Sequence, residues 1–150
     1  MKIIAVGKKH ESWIESGLER YQRRLRKPYG VEWLLLPHSS KDEPEARRME
    51  SEAILSKLKT GDFVILLDET GEILSSPTLS SRLERTLSSG REIVFVIGGA
   101  YGVSAELKQR ADLIWSLSRL VFPHQLVRLV LIEQLYRAQE IAAGNPYHHS

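Results

Sequence analysis

The chain has 150 residues, with 21 Lys and Arg against 19 Asp and Glu, a formal net charge of +2. This length predicts one domain spanning 1–150, and so small a charge excludes nucleic-acid binding by bulk attraction, leaving local patches to supply any such contact. No cysteine is present, which excludes disulfides, thiolate metal sites and cysteine nucleophiles. Apolar runs reach only about five residues, far short of the roughly 20 of a membrane span. Met1–Gly7 lacks a signal-peptide layout, so the chain reads as soluble and cytoplasmic.

Short apolar runs alternate with helical spacing, which predicts an α/β fold, a mostly parallel sheet flanked by helices. Ile3 to Val6 predicts a first buried strand. Ile14, Leu18, Tyr21 and Leu25 share one helical face and predict a helix ended by Pro28 and Gly30. Val31 to Leu36 predicts a second strand closed by Pro37, and residues 37–45 read as a polar loop. Met49, Ala53 and Leu58 mark a second helix stopped near Gly61.

Phe63 to Leu67 and Ile93 to Ile97 are continuous apolar runs, which suit strands covered on both faces. Between them, Ser76-Pro77 predicts an N-cap followed by proline at the first helical position, with Leu79, Leu83 and Leu87 on one face. Ser104 predicts another N-cap, with Glu106 in the favourable first turn. Leu113 to Leu117 and Leu120 to Phe122 predict short strands. Pro123 opens a long helix, His124 to Ala143, ended by Gly144 and Pro146.

That helix carries two apolar arcs. Val127, Val130, Leu131, Leu135, Ala138 and Ile141 form one, and Leu129, Ile132 and Tyr136 the other. Arg128 and Gln139 separate them on one side; Glu133, Arg137 and Glu140 do so on the other. One arc satisfies an ordinary surface helix. Two arcs ask for two burial partners; with little spare material in 150 residues for a helix sandwiched within the domain, they predict that the second partner is another copy in a twofold homodimer.

Several segments are candidates for chemistry. Gly98-Gly99-Ala100-Tyr101-Gly102 follows a buried strand and precedes a helix, where glycines let backbone approach a ligand. It is neither a dinucleotide fingerprint nor a P-loop. Leu66 to Gly71 ends another strand and reads as a solvated turn; Ser116 to His124 reads as a connector. Arg20, Arg23, Arg24, Arg26 and Lys27 cluster beside Tyr21, either as a solvated helix face or as phosphate contacts. The histidines show no ligand spacing, and no metal site is expected.

Taken together these segments resemble a known family. Leu67-Asp68 with Gly71, Ile97-Gly98-Gly99 with Gly102, Ser116-Leu117-Ser118, Phe122-Pro123-His124-Gln125 with Arg128, Glu133 to Ala138 and Tyr147-His148 occur in this order. Order and spacing resemble the SPOUT-class 23S rRNA pseudouridine-N3 methyltransferases, the ribosomal RNA large subunit methyltransferase H family. Ile4-Ala5-Val6-Gly7-Lys8 also matches. The resemblance implies a C-terminal trefoil knot, a homodimer and S-adenosyl-methionine as cofactor. It implies methylation of a pseudouridine N3 in helix 69 of 23S rRNA within the assembled ribosome.

Carried over to this chain, it implies cofactor contacts at Leu67, Gly98, Leu117, Ser118, Arg119, Leu120, Val121 and Phe122. It implies His148 as general base, or Tyr147 and His148 together as positioning residues for RNA; the basic run read above adds Arg20, Arg23 and Arg24 as further RNA contacts. The chain departs from the family after Tyr147-His148, where Arg or Lys gives way to His149-Ser150. Readings from other classes are a non-catalytic ribosome- or RNA-binding protein using Arg20 to Lys27, and a metabolite-binding protein holding another nucleotide at the Gly98 turn.

Overall fold

A computed structural model describes residues 1–147. The apolar runs become β1 (Lys2–Val6), β2 (Glu32–Leu36), β3 (Phe63–Ile73), β4 (Ile93–Ile97) and β5 (Leu113–Ser116). The periodic segments become α1 (Ser12–Gln22), α2 (Glu43–Leu55), α3 (Ser76–Ser88), α4 (Ala105–Arg110) and α5 (His124–Ala142). The five strands form one sheet in the order β2-β1-β4-β3-β5. Every pairing is parallel.

Both faces of the sheet are covered, which is why the strands read as unbroken apolar runs. Ile14 and Leu18 of α1, Leu79 and Leu83 of α3, and Leu131 and Leu135 of α5 pack with Ile3 and Phe95 on one face. Ile54 of α2 and Leu107 of α4 pack with Ile4, Val64 and Val96 on the other. Crossovers leading one way along the sheet carry α1 and α3. Those leading the opposite way carry α2 and α4 on the opposite face, as a single crossover hand requires.

Local chemistry moves several predicted boundaries. α1 stops at Gln22, and Leu25 falls in the following turn, its N–H donating to Gln22 O at 3.2 Å. α2 starts at Glu43 because Pro44 sits in its first turn, where no N–H is needed. The predicted loop therefore shortens to residues 37–42. Leu58 lies in the turn after α2. The cap of α3 is Ser75, not Ser76; its Oγ accepts from Thr78 N at 3.3 Å. Ser104 caps α4 as predicted, accepting from Leu107 N at 3.2 Å. Leu120–Phe122 is no strand, since nothing among the described residues pairs with it and Leu120 and Val121 are exposed.

The two arcs of α5 both find partners inside the chain. Leu131, Leu135 and Ala138 join the apolar cluster with α3, and Ser80 Oγ donates to Ala138 O at 2.8 Å. Ile132 packs with Ile14 and Leu18. Leu129 presses on α1, where a Cβ added to Gly17 would lie 2.9 Å from it. The residues read as separators, Arg128 and Gln139, are buried between the arcs. Gln139 Oε1 accepts from Arg26 N at 2.6 Å, and its Nε2 donates to Arg24 O at 3.1 Å. The arcs therefore do not by themselves require a second chain.

Candidate active site

The carboxyl ends of β3, β4 and β5 open onto a cleft of ≈ 480 Å³. That is where ligands of open α/β sheets sit, and the size suits a cofactor. It is lined by Leu67, by the turn Gly98–Val103, by Trp115 and Ser116, and by Leu117, Ser118, Leu120, Val121 and Phe122. His124 and Val127 of α5, Glu43 and Arg47 of α2, and Lys108 of α4 complete its lining, together with the bulge Asp68, Glu69 and Thr70.

That bulge corrects the reading of Leu66–Gly71 as a turn ending a strand. Leu67 pairs with Trp115, and Glu72 pairs with the same Trp115. Residues 68–71 are pushed out of the ladder, and the strand then resumes. Asp68 Oδ1 accepts from Thr70 N at 2.9 Å, and Asp68 Oδ2 pairs with Lys108 Nζ at 2.9 Å. Burial alone would raise the Asp68 carboxyl; the bonds from Thr70 and Lys108 outweigh it and hold the group below its usual range. Gly71 lets the bulge return across β5, since a Cβ there would lie 2.6 Å from the Ile114 carbonyl.

The glycine turn after β4 closes with Gly102 N donating to Gly99 O at 3.0 Å, and Gly102 takes a φ of +73°. What the missing Cβ atoms leave room for is the protein itself. A Cβ on Gly98 would meet Val103 Cγ1 at 2.6 Å; one on Gly99 would meet Glu50 Oε2 at 2.0 Å. Glu50 is 6% exposed and accepts from Ser39 N at 2.8 Å through Oε1, while Oε2 has no partner among the described residues. The buried Glu50 carboxylate is therefore the floor on which the turn rests.

Ser118 shapes the segment between β5 and α5. Its carbonyl accepts from Ser116 Oγ at 2.7 Å, and its Oγ accepts from Leu120 N at 2.9 Å. This turn carries Leu120 and Val121 out to 70% and 78% exposure at the mouth of the cleft. Of the residues implied as cofactor contacts, Leu67, Gly98, Leu117, Ser118, Leu120, Val121 and Phe122 meet at this one cleft. Arg119 is exposed and does not line it.

Sequence reasoning left Trp115 and His124 without a role. Trp115 is 3% exposed, and its indole N–H has no acceptor among the described residues. A buried orphan donor in a cleft wall fits a polar ligand there. Its place, directly before Ser116-Leu117-Ser118 at the end of a strand, was the signal available. Burial, then Arg128, lower the pKa of His124, with Glu50 opposing.

The residues implied for RNA contact lie elsewhere. Arg20 is in the last turn of α1, and Arg23 pairs with Glu19. Arg24 lies over the Tyr136 ring at 5.7 Å, and Tyr147 meets the same ring edge-on at 4.7 Å. Arg137 stacks on Tyr147 at 4.9 Å. Burial, then Tyr21 and Glu133, push the Tyr147 phenol up to about 12. This aromatic and cationic cluster centres on Tyr136, nine residues along α5 from Val127 at the cleft, on the order of 13 Å at 1.5 Å per residue. The cleft and the cluster are separate. His148 lies outside the described residues.

Among the described residues, no group of three His, Cys, Asp or Glu side chains is placed to hold a metal ion. None of the described helices is long and apolar enough to cross a membrane.

Comparison with known proteins shows the family of the chain. A family model described as a predicted SPOUT methyltransferase matches residues 1–148. The ribosomal RNA large subunit methyltransferase H of Geobacter metallireducens is 41% identical, over 100% of this chain and 99% of its own. Proteins of the same name are 44% identical in a Synechococcus species, over 99% and 96%, and 39% identical in Hahella chejuensis, over 99% and 97%. With a match that spans both the parallel sheet and the whole cleft, the chain belongs to the SPOUT methyltransferase family.

Proposed function

We propose that this chain methylates N3 of a pseudouridine in helix 69 of large-subunit ribosomal RNA, on the assembled ribosome in the cytoplasm, with S-adenosyl-methionine as cofactor. The observation that carries the reading is the cleft: a glycine turn, a mixed polar and apolar wall and an orphan buried donor at the carboxyl ends of three strands. The relatives' name supplies the substrate class.

The cofactor, when bound, supplies an electrophilic methyl group on a sulfonium. The chain's own residues hold and enclose it. Leu67, Leu117 and Phe122 offer apolar surface, and the backbone of Ser118 to Val121 offers donors and acceptors to an adenine edge. The Trp115 N–H supplies a fixed donor. Leu120 and Val121, exposed at the mouth, cover the reacting groups from water once RNA is seated, and a dry site favours a step that annihilates charge.

The imide N3–H of pseudouridine must lose its proton before nitrogen becomes a good nucleophile. We assign that task to His148, which follows Tyr147 directly. Consecutive Cα atoms lie about 3.8 Å apart, and Tyr147 is anchored to the middle of α5. The anchor at Tyr136 stands nine residues of α5, about 13 Å, from Val127 at the cleft of its own chain, which favours delivery of the base to another cleft. The base reaches that cleft when a second copy presents it, so the working unit is a homodimer in which each tail completes the other's site.

Methyl transfer from labelled cofactor is the test, with assembled ribosomes, separate subunits and free rRNA compared. Label is expected in the large-subunit RNA of ribosomes, at the N3 of a pseudouridine. Binding of ribosomes with no cofactor heat and no transfer would support a non-catalytic ribosome-binding protein instead.

A further inference from the structure

A second concavity lies at the opposite end of the sheet from the cofactor cleft. It is ≈ 470 Å³ and runs beside α3 at the amino ends of β3 and β5. Arg82, Arg85 and Arg91 line it, against a single lining carboxylate, Asp112. The three guanidiniums are held differently. Arg82 pairs through both Nη atoms with Glu72, at 2.8 and 2.7 Å. Arg91 donates from Nε to Gly61 O at 3.1 Å and from Nη2 to Asp62 O at 2.8 Å and Asp112 Oδ1 at 3.2 Å. Arg85 donates only from Nε, to Ser81 O at 3.3 Å, and has no carboxylate partner among the described residues.

Both Nη groups of Arg85, Nη1 of Arg91 and Nε of Arg82 therefore remain unspent in one concavity. Two of the arginines are already fixed, so little side-chain freedom is lost when an anion arrives. Planar guanidinium forks match the oxygens of a phosphate. Phe63 also lines the concavity, but Arg91 already lies over its ring at 5.0 Å. That guanidinium covers one face of the ring. The chemistry suits backbone, not base.

We infer that the Arg82–Arg85–Arg91 concavity is a docking site for the phosphodiester backbone of the RNA substrate, remote from the methyl-transfer cleft. The inference rests on the RNA reading above. It gives a nearly neutral chain a local anchor that is independent of the tail and of the basic end of α1. Arg85 carries most of the contact because its charge is uncompensated. Arg91 and Arg82 define the geometry.

The test is equilibrium binding to assembled ribosomes over a range of salt, for the full-length wild type, Arg85→Gln, Arg85→Lys and, as a control, Arg48→Gln on α2. Cofactor calorimetry and the urea midpoint accompany each variant. Arg85→Gln is expected to weaken ribosome binding about 3- to 10-fold and to flatten the log–log salt slope by about one. Cofactor affinity and folding stay as in the wild type. Arg85→Lys keeps part of the affinity, and Arg48→Gln all of it. Unchanged affinity and slope in Arg85→Gln, beside a wild type that binds ribosomes, overturns this inference alone. A wild type that neither binds nor methylates ribosomes overturns the RNA reading and this site with it. Tight binding of inorganic phosphate or ATP alone, abolished in Arg85→Gln, makes the concavity a small-anion site and overturns the RNA assignment.

Discussion

Nη2 of Arg128 donates to the carbonyl oxygen of Val6 at 2.8 Å, joining the start of α5 to the end of β1 across 122 residues of chain. Nη1 donates to Lys9 O at 2.8 Å, and the side chain is fully buried. A buried cation is held here by carbonyl dipoles, with no carboxylate bonded to it among the described residues. Arg128→Met would keep the volume and leave those carbonyls unpaired. We expect a loss of about 2–4 kcal/mol in urea denaturation. Arg128→Lys should recover only part, because one ammonium does not reproduce the fork. A loss under about 0.5 kcal/mol for Arg128→Met, the range of ordinary surface changes, would show that the clamp is dispensable.

The same arginine sets a pH dependence. His10, whose Nδ1 lies 3.2 Å from Arg128 Nη1, and His124 both have pKa values below the usual 6.5. Burial is the larger cause for each and Arg128 the second, with Glu15 opposing at His10 and Glu50 at His124. Below 6.5 the unfolded chain therefore binds protons that the folded chain resists. Stability should be flat above about pH 6.5 and fall as pH drops beneath it, before the carboxylates titrate. The urea midpoint at pH 7.5, 6.5 and 5.5 measures this. The fall should flatten in His10→Gln, His124→Gln; an equal slope in that double variant assigns it to other groups.

The five strands of the sheet and the α4 cap are legible because each rests on local chemistry, whereas the seven cleft residues come from the family resemblance alone. Apolar runs at 63–67 and 93–97 leave few alternatives, and Ser104 caps through its own side chain. The rest depended on contacts distant in sequence. Nothing local says that Leu67 and Glu72 share Trp115 as a partner, so the bulge at 68–71 was read as a turn. Gln139 looks like a surface residue until the turn after α1 arrives to bond it. The glycines at 98 and 99 read as space for a ligand; the Glu50 carboxyl that meets Gly99 comes from α2, far off in sequence, and the Val103 side chain folds back on Gly98 only once the turn has formed.

Gly99 offers a direct check of that last point. Gly99→Ala places a methyl 2.0 Å from Glu50 Oε2, which is buried and held on a helix. Overpacking of this kind costs about 1–3 kcal/mol. Glu50→Ala removes the obstacle but leaves Ser39 N unpaired, so it carries its own cost. The two together should cost at least about 1 kcal/mol less than the sum of the singles. Cofactor affinity should fall in Gly99→Ala and return in the double variant. Strict additivity would mean that the turn and α2 are not in energetic contact.

The separation of tail and cleft along α5 makes a prediction about mixed dimers. Tyr147 is fixed to Tyr136 and Arg137, far from His124 at the cleft. His148→Ala removes the proposed base and leaves a sound cleft. Gly98→Ala pushes on Val103 and damages the cleft while leaving the tail intact. Each homodimer should transfer methyl poorly. On mixing and re-equilibration about half of the dimers become mixed, and one of the two sites in each joins a sound cleft to a sound tail, so about a quarter of wild-type activity should return. A tail that serves its own cleft returns none, and so does a chain that works as a monomer. Single-turnover rates at saturating cofactor and ribosome then separate two roles for the tail. If His148→Ala slows transfer with ribosome affinity intact, it acts at the reacting nitrogen. If affinity falls in step with rate, it positions RNA, and the proton leaves by another route.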